Sequence, residues 1–236
     1  MAENLRLRYQ SWELEVLLQR HPGLSIVPGT NSGLLLEGAL SFKARTSDDV
    51  EIADTYHLQI SVPPNFPQRI PIVRETEGRI PRAFHCFPDG SLCLGAPLRL
   101  HTILAPNPTL GGFVNSCLIP FLYSRSCYEK HGNLPLGELA HGNKGILEDY
   151  QNLFQVATKE AALEMLFLLT LPKRVANKRP CPCESGRRVG VCHHMVLNEL
   201  RQIRNRTWFR EEYRKRVVPD GSTGKPLPIH HPRLSW

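Results

Sequence analysis

The stretch Val62-Pro63-Pro64-Asn65-Phe66-Pro67-Gln68-Arg69-Ile70-Pro71 decides the fold. Its four prolines gather around one aromatic ring, which stiffens the backbone and removes amide donors, so a strand must end here and a rigid, extended crossing must follow. Just upstream, Tyr56, Leu58, Ile60 and Val62 alternate with His57, Gln59 and Ser61. Before them, Leu34, Leu36, Leu40 and Phe42 alternate with Glu37, Ser41 and Lys43. A period of two puts each apolar set on one face of a strand, and the acidic turn Ser47-Asp48-Asp49 joins the two strands into a meander. Nearer the N-terminus, Leu5, Tyr9, Trp12 and Val16 recur at helical spacing and His21-Pro22-Gly23 ends the run, which predicts one amphipathic helix over residues 3–20.

Downstream of the prolines lies Phe84-His85-Cys86-Phe87-Pro88-Asp89-Gly90-Ser91-Leu92-Cys93-Leu94-Gly95. A thiol at the end of a tight turn is reachable by a bulky partner, whereas one in mid-strand faces a core, so Cys93 is the candidate nucleophile. Together the proline segment and this turn resemble the ubiquitin-conjugating enzymes. Val62-Pro63, Phe66-Pro67 and Ile70-Pro71 fall where that family has its Phe-Pro, Tyr-Pro and Pro-Pro pairs, and His85 and Cys93 align with its signature His and thioester-forming Cys.

The resemblance covers roughly residues 1–170 and implies an α+β fold with an N-terminal helix, an antiparallel meander sheet and C-terminal helices. It implies a catalytic set of Cys93, His85 and Asp89, with the histidine mainly a scaffold. The eukaryotic enzymes read His-Pro-Asn at the turn, where Cys86 and Phe87 stand here, and the spacing from His to Cys is shorter. This form is similar to bacterial relatives of ubiquitin-like conjugation and antiphage systems. Their cargo is a ubiquitin-like protein or the C-terminus of a nucleotidyltransferase, loaded by a ubiquitin-activating-like enzyme. Transthiolation needs only an accessible thiolate and a second thioester close by. Lysine transfer needs an oxyanion donor, commonly worth about a hundredfold or more, which a backbone N–H near Gly90 or the Asn107 side chain must supply if Asn is lost. The alternative is a noncatalytic binding module of the same fold.

Beyond Cys93, Leu98 to Pro108 is punctuated by proline and Leu110 to Lys130 reads as helical despite Pro120, with Cys117 and Cys127 as core thiols. The glycine-rich run from His131 to Gly142 is a loop, on which His141 is an exposed histidine or a base for the thiol. Residues 146–171 carry a strongly apolar pattern, the helical back of the domain, and Pro172-Lys173-Arg174 ends it. The expected division is therefore 1–172, a knuckle with a basic helix over 173–218, and a flexible tail over 219–236.

The second unit opens with Cys181-Pro182-Cys183-Glu184-Ser185-Gly186-Arg187-Arg188-Val189-Gly190-Val191-Cys192-His193-His194. Three thiols and an imidazole in so short a span can close a tetrahedron around zinc, and a fragment this small needs a metal or a disulfide to fold. The order is similar to the SEC-C type zinc knuckle. Cys181, Cys183, Cys192 and His193, with His194 as the substitute, are the implied ligands of a structural zinc ion. After it, Val196, Leu200, Ile203 and Trp208 mark a helical face, with Arg201, Arg204, Arg206 and Arg210 around the rest.

The 236 residues give room for one domain and a smaller unit. From Lys173 onward there are 15 Lys and Arg against 5 Asp and Glu, while residues 1–172 hold 14 against 17, so the net charge of +7 belongs to the C-terminal part. Such a surface suits an acidic protein or nucleic acid, and the third reading is a zinc-stabilised nucleic-acid-binding protein. No apolar run reaches the length of a membrane span, and Met1-Ala2-Glu3-Asn4-Leu5 has neither the basic region nor the apolar core of a signal peptide. Seven cysteines in the cytoplasmic protein so expected point to reduced thiols and metal ligands.

Overall fold

The computed structural model describes residues 2–28, 33–45, 50–132 and 142–217. Its chain folds as two units, Met1–Leu139 and Ala140–Trp236. The first is α+β. It runs α1 (Ala2–Ser11), α2 (Leu14–Arg20), β1 (Leu24–Val27), β2 (Leu34–Arg45), β3 (Glu51–Val62), β4 (Ile72–Glu75), α3 (Pro97–Leu104), α4 (Leu110–Phe113), a π-helical turn (Val114–Leu118) and α5 (Ile119–His131).

The four strands form one antiparallel sheet in the order β1-β2-β3-β4, with Leu36 opposite Ile60 and Ile60 opposite Val73. Alternation sorts the two faces as the sequence predicts. Leu34, Leu36, Leu40 and Phe42 on β2, with Tyr56, Leu58, Ile60 and Val62 on β3, are buried in one core with Phe113, Leu118 and Leu122 of the helices. Pro120 directly follows the π-helical turn, where the ordinary helical hydrogen-bond pattern is already interrupted, and Cys117 and Cys127 are buried. The Ser47–Asp49 turn and His141 lie outside the described residues.

The expected single helix over residues 3–20 is two helices, broken at Trp12 and Glu13. Glu13 takes a left-handed φ of 53°. A tertiary partner claims a group that a continuous helix needs, since the Trp12 carbonyl accepts the Leu110 N–H at 3.0 Å, and the side chain is anchored separately where its indole N–H donates to Phe66 O at 3.0 Å. The Trp12 ring also meets Phe66 edge-on, with centroids 5.7 Å apart, so the proline-framed aromatic is a floor for the helix break. Val16, expected on the buried stripe, is exposed.

A polar network ties the sheet to α5. Arg79 pairs with Asp54 at 2.6 Å and with Glu129 at 2.7 Å, Ser126 donates to Asp54, and the Arg79 guanidinium lies 4.1 Å over the Tyr56 ring. The Arg79 hydrogen bonds hold the Asp54 carboxyl far below the usual carboxylate range, against the opposing effect of burial.

The second unit contains α6 (Gly142–Phe154), α7 (Lys159–Thr170), α8 (Lys173–Ala176), a 3-10 turn (Val189–Val191), α9 (His194–Ile203) and α10 (Arg206–Val217). The division falls ahead of the expected boundary near residue 173. Helices α6 and α7, read from sequence as the back of the first domain, belong with the C-terminal helices, and α7 packs on α10. The apolar pattern over 146–171 locates helices, but an apolar face does not say which partner will cover it. The basic helix after the knuckle is likewise two helices, which bury Leu197 and Leu200 on the first and Phe209, Glu212 and Val217 on the second. Inside this unit Tyr150 OH donates to the buried Glu212 at 2.7 Å, and Arg216 lies 3.0 Å from the same carboxylate.

Candidate functional site

The turn before Cys93 is built from local chemistry. Gly90 N–H donates to Phe87 O at 2.9 Å and Phe87 N–H to Ser91 O at 2.8 Å, which is a type I turn closed by a left-handed residue. Gly90 fills that place at φ 80°, where a Cβ would strain the backbone. Asp89 fixes the tip. Its Oδ1 accepts the Ser91 N–H and hydroxyl at 3.0 and 2.6 Å, and its Oδ2 pairs with Arg74 at 2.8 Å. These Ser91 hydrogen bonds, with Arg74 adding to them, hold the exposed Asp89 carboxyl below its ordinary range.

Both arms of the turn are pinned. Leu92 N–H donates to Val73 O at 2.8 Å, which ties the second arm to β4, and Cys93 N–H donates to His85 O at 2.7 Å. Cys86 and Leu92 face each other as a bridge between the arms. His85 has a left-handed φ of 43° and packs edge-on against Phe84, with centroids 5.2 Å apart. The residues named from the sequence therefore come together in one hairpin. In it Asp89 holds the tip and the His85 carbonyl accepts the amide N–H of Cys93.

Cys93 is neither sealed nor prominent; it is partly buried between Leu92 and Leu94. Burial pushes its thiol up from the ordinary value, and a backbone hydrogen bond from Gly95 works in the opposite direction. Cys86 is also partly buried and its thiol donates to Phe84 O at 3.3 Å. Burial raises it, and the neighbouring Cys93 adds to the shift.

Of the oxyanion donors considered from sequence, the Gly90 N–H is spent on Phe87 O and the Ser91 N–H on Asp89. Asn107 lies in the turn before α4, where its Oδ1 accepts the Thr109 hydroxyl at 3.0 Å. The Gly95 backbone, whose hydrogen bonding lowers the Cys93 thiol against the effect of burial, was missed by sequence reasoning. Its only signal was the glycine two places past the thiol. A cavity of about 460 Å³ lies elsewhere in this unit, lined by Leu35, Ser61, Pro63, Arg69 and Ile72 among others and not by Cys93.

The second cluster is assembled by a short antiparallel wrap. Cys181 N–H donates to Arg187 O at 2.8 Å and Val189 N–H to Arg179 O at 2.9 Å, folding Cys181 and Cys183 back beside the 3-10 turn that carries Cys192. Gly190 is needed there because a Cβ would press on Asn177 O at 2.9 Å. The sulfurs of Cys181, Cys183 and Cys192 and the Nδ1 of His193 all lie within 4.8 Å of one another, and neighbouring pairs are separated by 3.1 to 3.4 Å.

A tetrahedron with metal–sulfur bonds of about 2.3 Å has edges of about 3.8 Å, so this donor set could hold a metal ion with little adjustment. His193 is the imidazole of the cluster. His194, the expected substitute, stands outside it with a buried Nδ1. The thiols differ among themselves: burial pushes Cys181 up to about 12, while the Ser185 hydrogen bond pulls Cys183 down to about 6. A bound cation overrides that difference by deprotonating its thiol ligands.

Among the described residues no helix is long and apolar enough to cross a membrane. No protein-family model, no curated protein and no solved structure matches this chain, so the reading of both sites rests on their own geometry.

Proposed function

We propose that the chain is a cysteine-dependent acyl carrier of the ubiquitin-conjugating-enzyme type, with a knuckle of the SEC-C type that binds zinc through Cys181, Cys183, Cys192 and His193. The observation that carries the reading is the hairpin at Cys93. A partly exposed thiol is held at a fixed place between β4 and the His85 carbonyl, in the element order helix, antiparallel meander, thiol turn, helices. In the proposed step the Cys93 thiolate attacks the C-terminal acyl thioester carried by an activating enzyme. The new thioester forms on Cys93 and the activating enzyme's thiolate leaves.

A raised thiol suits a carrier. A more basic thiolate is a poorer leaving group, so the acyl group is held longer once loaded, while the smaller thiolate fraction slows loading. Hydrogen bonding from the Gly95 backbone favours the thiolate and makes that N–H the candidate donor for the oxyanion of the exchange. The cargo is a ubiquitin-like protein or the C-terminus of a nucleotidyltransferase in a bacterial conjugation or antiphage system. With all four ligand places filled by protein, the zinc is structural.

The test is to incubate wild type, Cys93→Ala and Cys93→Ser with an activating enzyme and candidate cargo, then run non-reducing gels. The expected result is a thiol-sensitive adduct in wild type, none in the alanine variant and a thiol-resistant ester in the serine variant. No adduct with any cargo would leave the noncatalytic module of the same fold as the better account.

A further inference from the structure

The C-terminal end of α7 carries a concentration of positive charge that no carboxylate pairs with among the described residues. Arg201 of α9 donates through Nη2 to Leu168 O at 3.1 Å, and Arg206 of α10 donates through Nε to Thr170 O at 3.3 Å. The two guanidinium groups are thus hung on carbonyls of the same final helical turn, where the helix dipole favours cations. They sit close enough to repel each other, since burial and the nearby Arg206 both lower the Arg201 guanidinium from its ordinary value.

Among the described residues neither has a carboxylate partner, and Nε and Nη1 of Arg201 are buried with no acceptor at all. Buried charged donors without acceptors are costly, so an acceptor from outside the chain has a strong reason to bind. Lys173 and Arg174 follow directly on Leu171-Pro172, both exposed, and add to the same field.

We infer that Arg201 and Arg206 form a binding site for a phosphate group at the C-terminal end of α7. The planar forks of two arginines match the several acceptor oxygens of a phosphate better than the two of a carboxylate. Arg206 is exposed and gives the ligand its approach, while Arg201, anchored and partly buried, fixes where the ligand stops. The phosphate comes from a free nucleotide or from a polynucleotide backbone, and the probes below separate the two. The site is independent of the acyl-carrier reading, because it uses no residue of the Cys93 hairpin.

The experiment uses the metal-loaded full chain with two probes: inorganic pyrophosphate by calorimetry, and a fluorescein-labelled single-stranded oligonucleotide by anisotropy at low and at physiological salt. Arg206→Ala is expected to weaken binding about tenfold and to flatten the salt dependence, as the loss of one charge-assisted contact requires. Arg206→Lys keeps the charge, loses the fork and should fall between. Arg214→Ala removes an equally exposed cation elsewhere on α10 and should change nothing.

Binding of pyrophosphate that competes with the oligonucleotide assigns the site to small phosphate ligands. Binding of the oligonucleotide alone assigns it to a backbone. If neither probe binds, or if Arg206→Ala and Arg214→Ala lose affinity equally, the site is overturned and the charge is only a diffuse field. Because Arg206 is exposed, its variants keep the test valid even where Arg201→Gln fails to fold.

Discussion

Cys93 and Cys183 are the same side chain in opposite settings. The first stands alone in a hairpin whose position is dictated by a sheet and its apolar core, and burial makes its thiol reluctant to ionise. The second stands among two other thiols and an imidazole, and hydrogen bonding to Ser185 brings its thiol down to about 6. A fold can therefore hold a cysteine by packing or by ligation. The choice sets whether the sulfur remains available for transfer chemistry or is spent on structure.

The sharpest way to break that contrast is to remove the metal proposed for the cluster. Apparent binding energies of structural zinc are on the order of 10 kcal/mol, so chelation, or Cys181→Ser, should unfold the wrap around Val189 and Leu197 while the β-sheet stays intact. Amide exchange read residue by residue checks this. Undiminished protection of Val189 after metal removal would show that packing alone holds the knuckle.

The converse variant is Trp12→Ala. It removes the ring that floors the helix break and the donor to Phe66 O, and it should cost about 3–5 kcal/mol in the first unit with no change in metal stoichiometry. Denaturant unfolding of the full chain followed by sheet signals, with metal analysis alongside, measures both halves of the claim.

Asp54→Asn comes next. Breaking the Arg79 pair should cost about 2–3 kcal/mol. Because the folded state holds Asp54 below its unfolded range, that stability is present above the ordinary Asp pKa and is lost as pH falls through and below it. The variant should therefore lose part of the acid limb of the melting-temperature profile. An unchanged acid limb would remove Asp54 from the account.

Alkylation of individual cysteines, read by mass spectrometry, should then order the sulfurs. In metal-loaded protein Cys93 reacts more slowly than a free cysteine and accelerates as pH rises past the ordinary thiol range, while the knuckle is protected. After metal removal Cys183 should overtake Cys93 at neutral pH. The smallest effect is expected from Asp89→Ala, which removes an exposed turn clasp. The melting temperature should hardly move, whereas the Cys93 alkylation rate should change as the hairpin loosens.

Several of these features could be read before any coordinates. The alternation of Leu34, Leu36, Leu40 and Phe42 specified which face of β2 is buried, because a strand's period of two leaves no other choice. The proline frame around Phe66 marked the strand end, and the spacing of Cys181, Cys183, Cys192 and His193 marked the cluster. What stayed hidden depended on partners far along the chain. The helix breaks at Trp12 because Leu110 takes its carbonyl, and no local pattern announces that. Arg201 and Arg206 read as members of a solvated basic face until α7 is seen to end between them.

By itself the sequence determined the two central strands, the stop at the prolines, the glycine-closed turn before Cys93 and the three thiols of the second cluster, since each follows from steric and hydrogen-bonding rules acting over a few residues. Only the tertiary structure decided that helices α6 and α7 belong with the C-terminal unit, that His193 and not His194 joins the cluster, and that Cys93 is partly buried. Those outcomes turn on which apolar face covers which and on where a side chain points once it is covered. That information resides in pairs of residues brought together by folding.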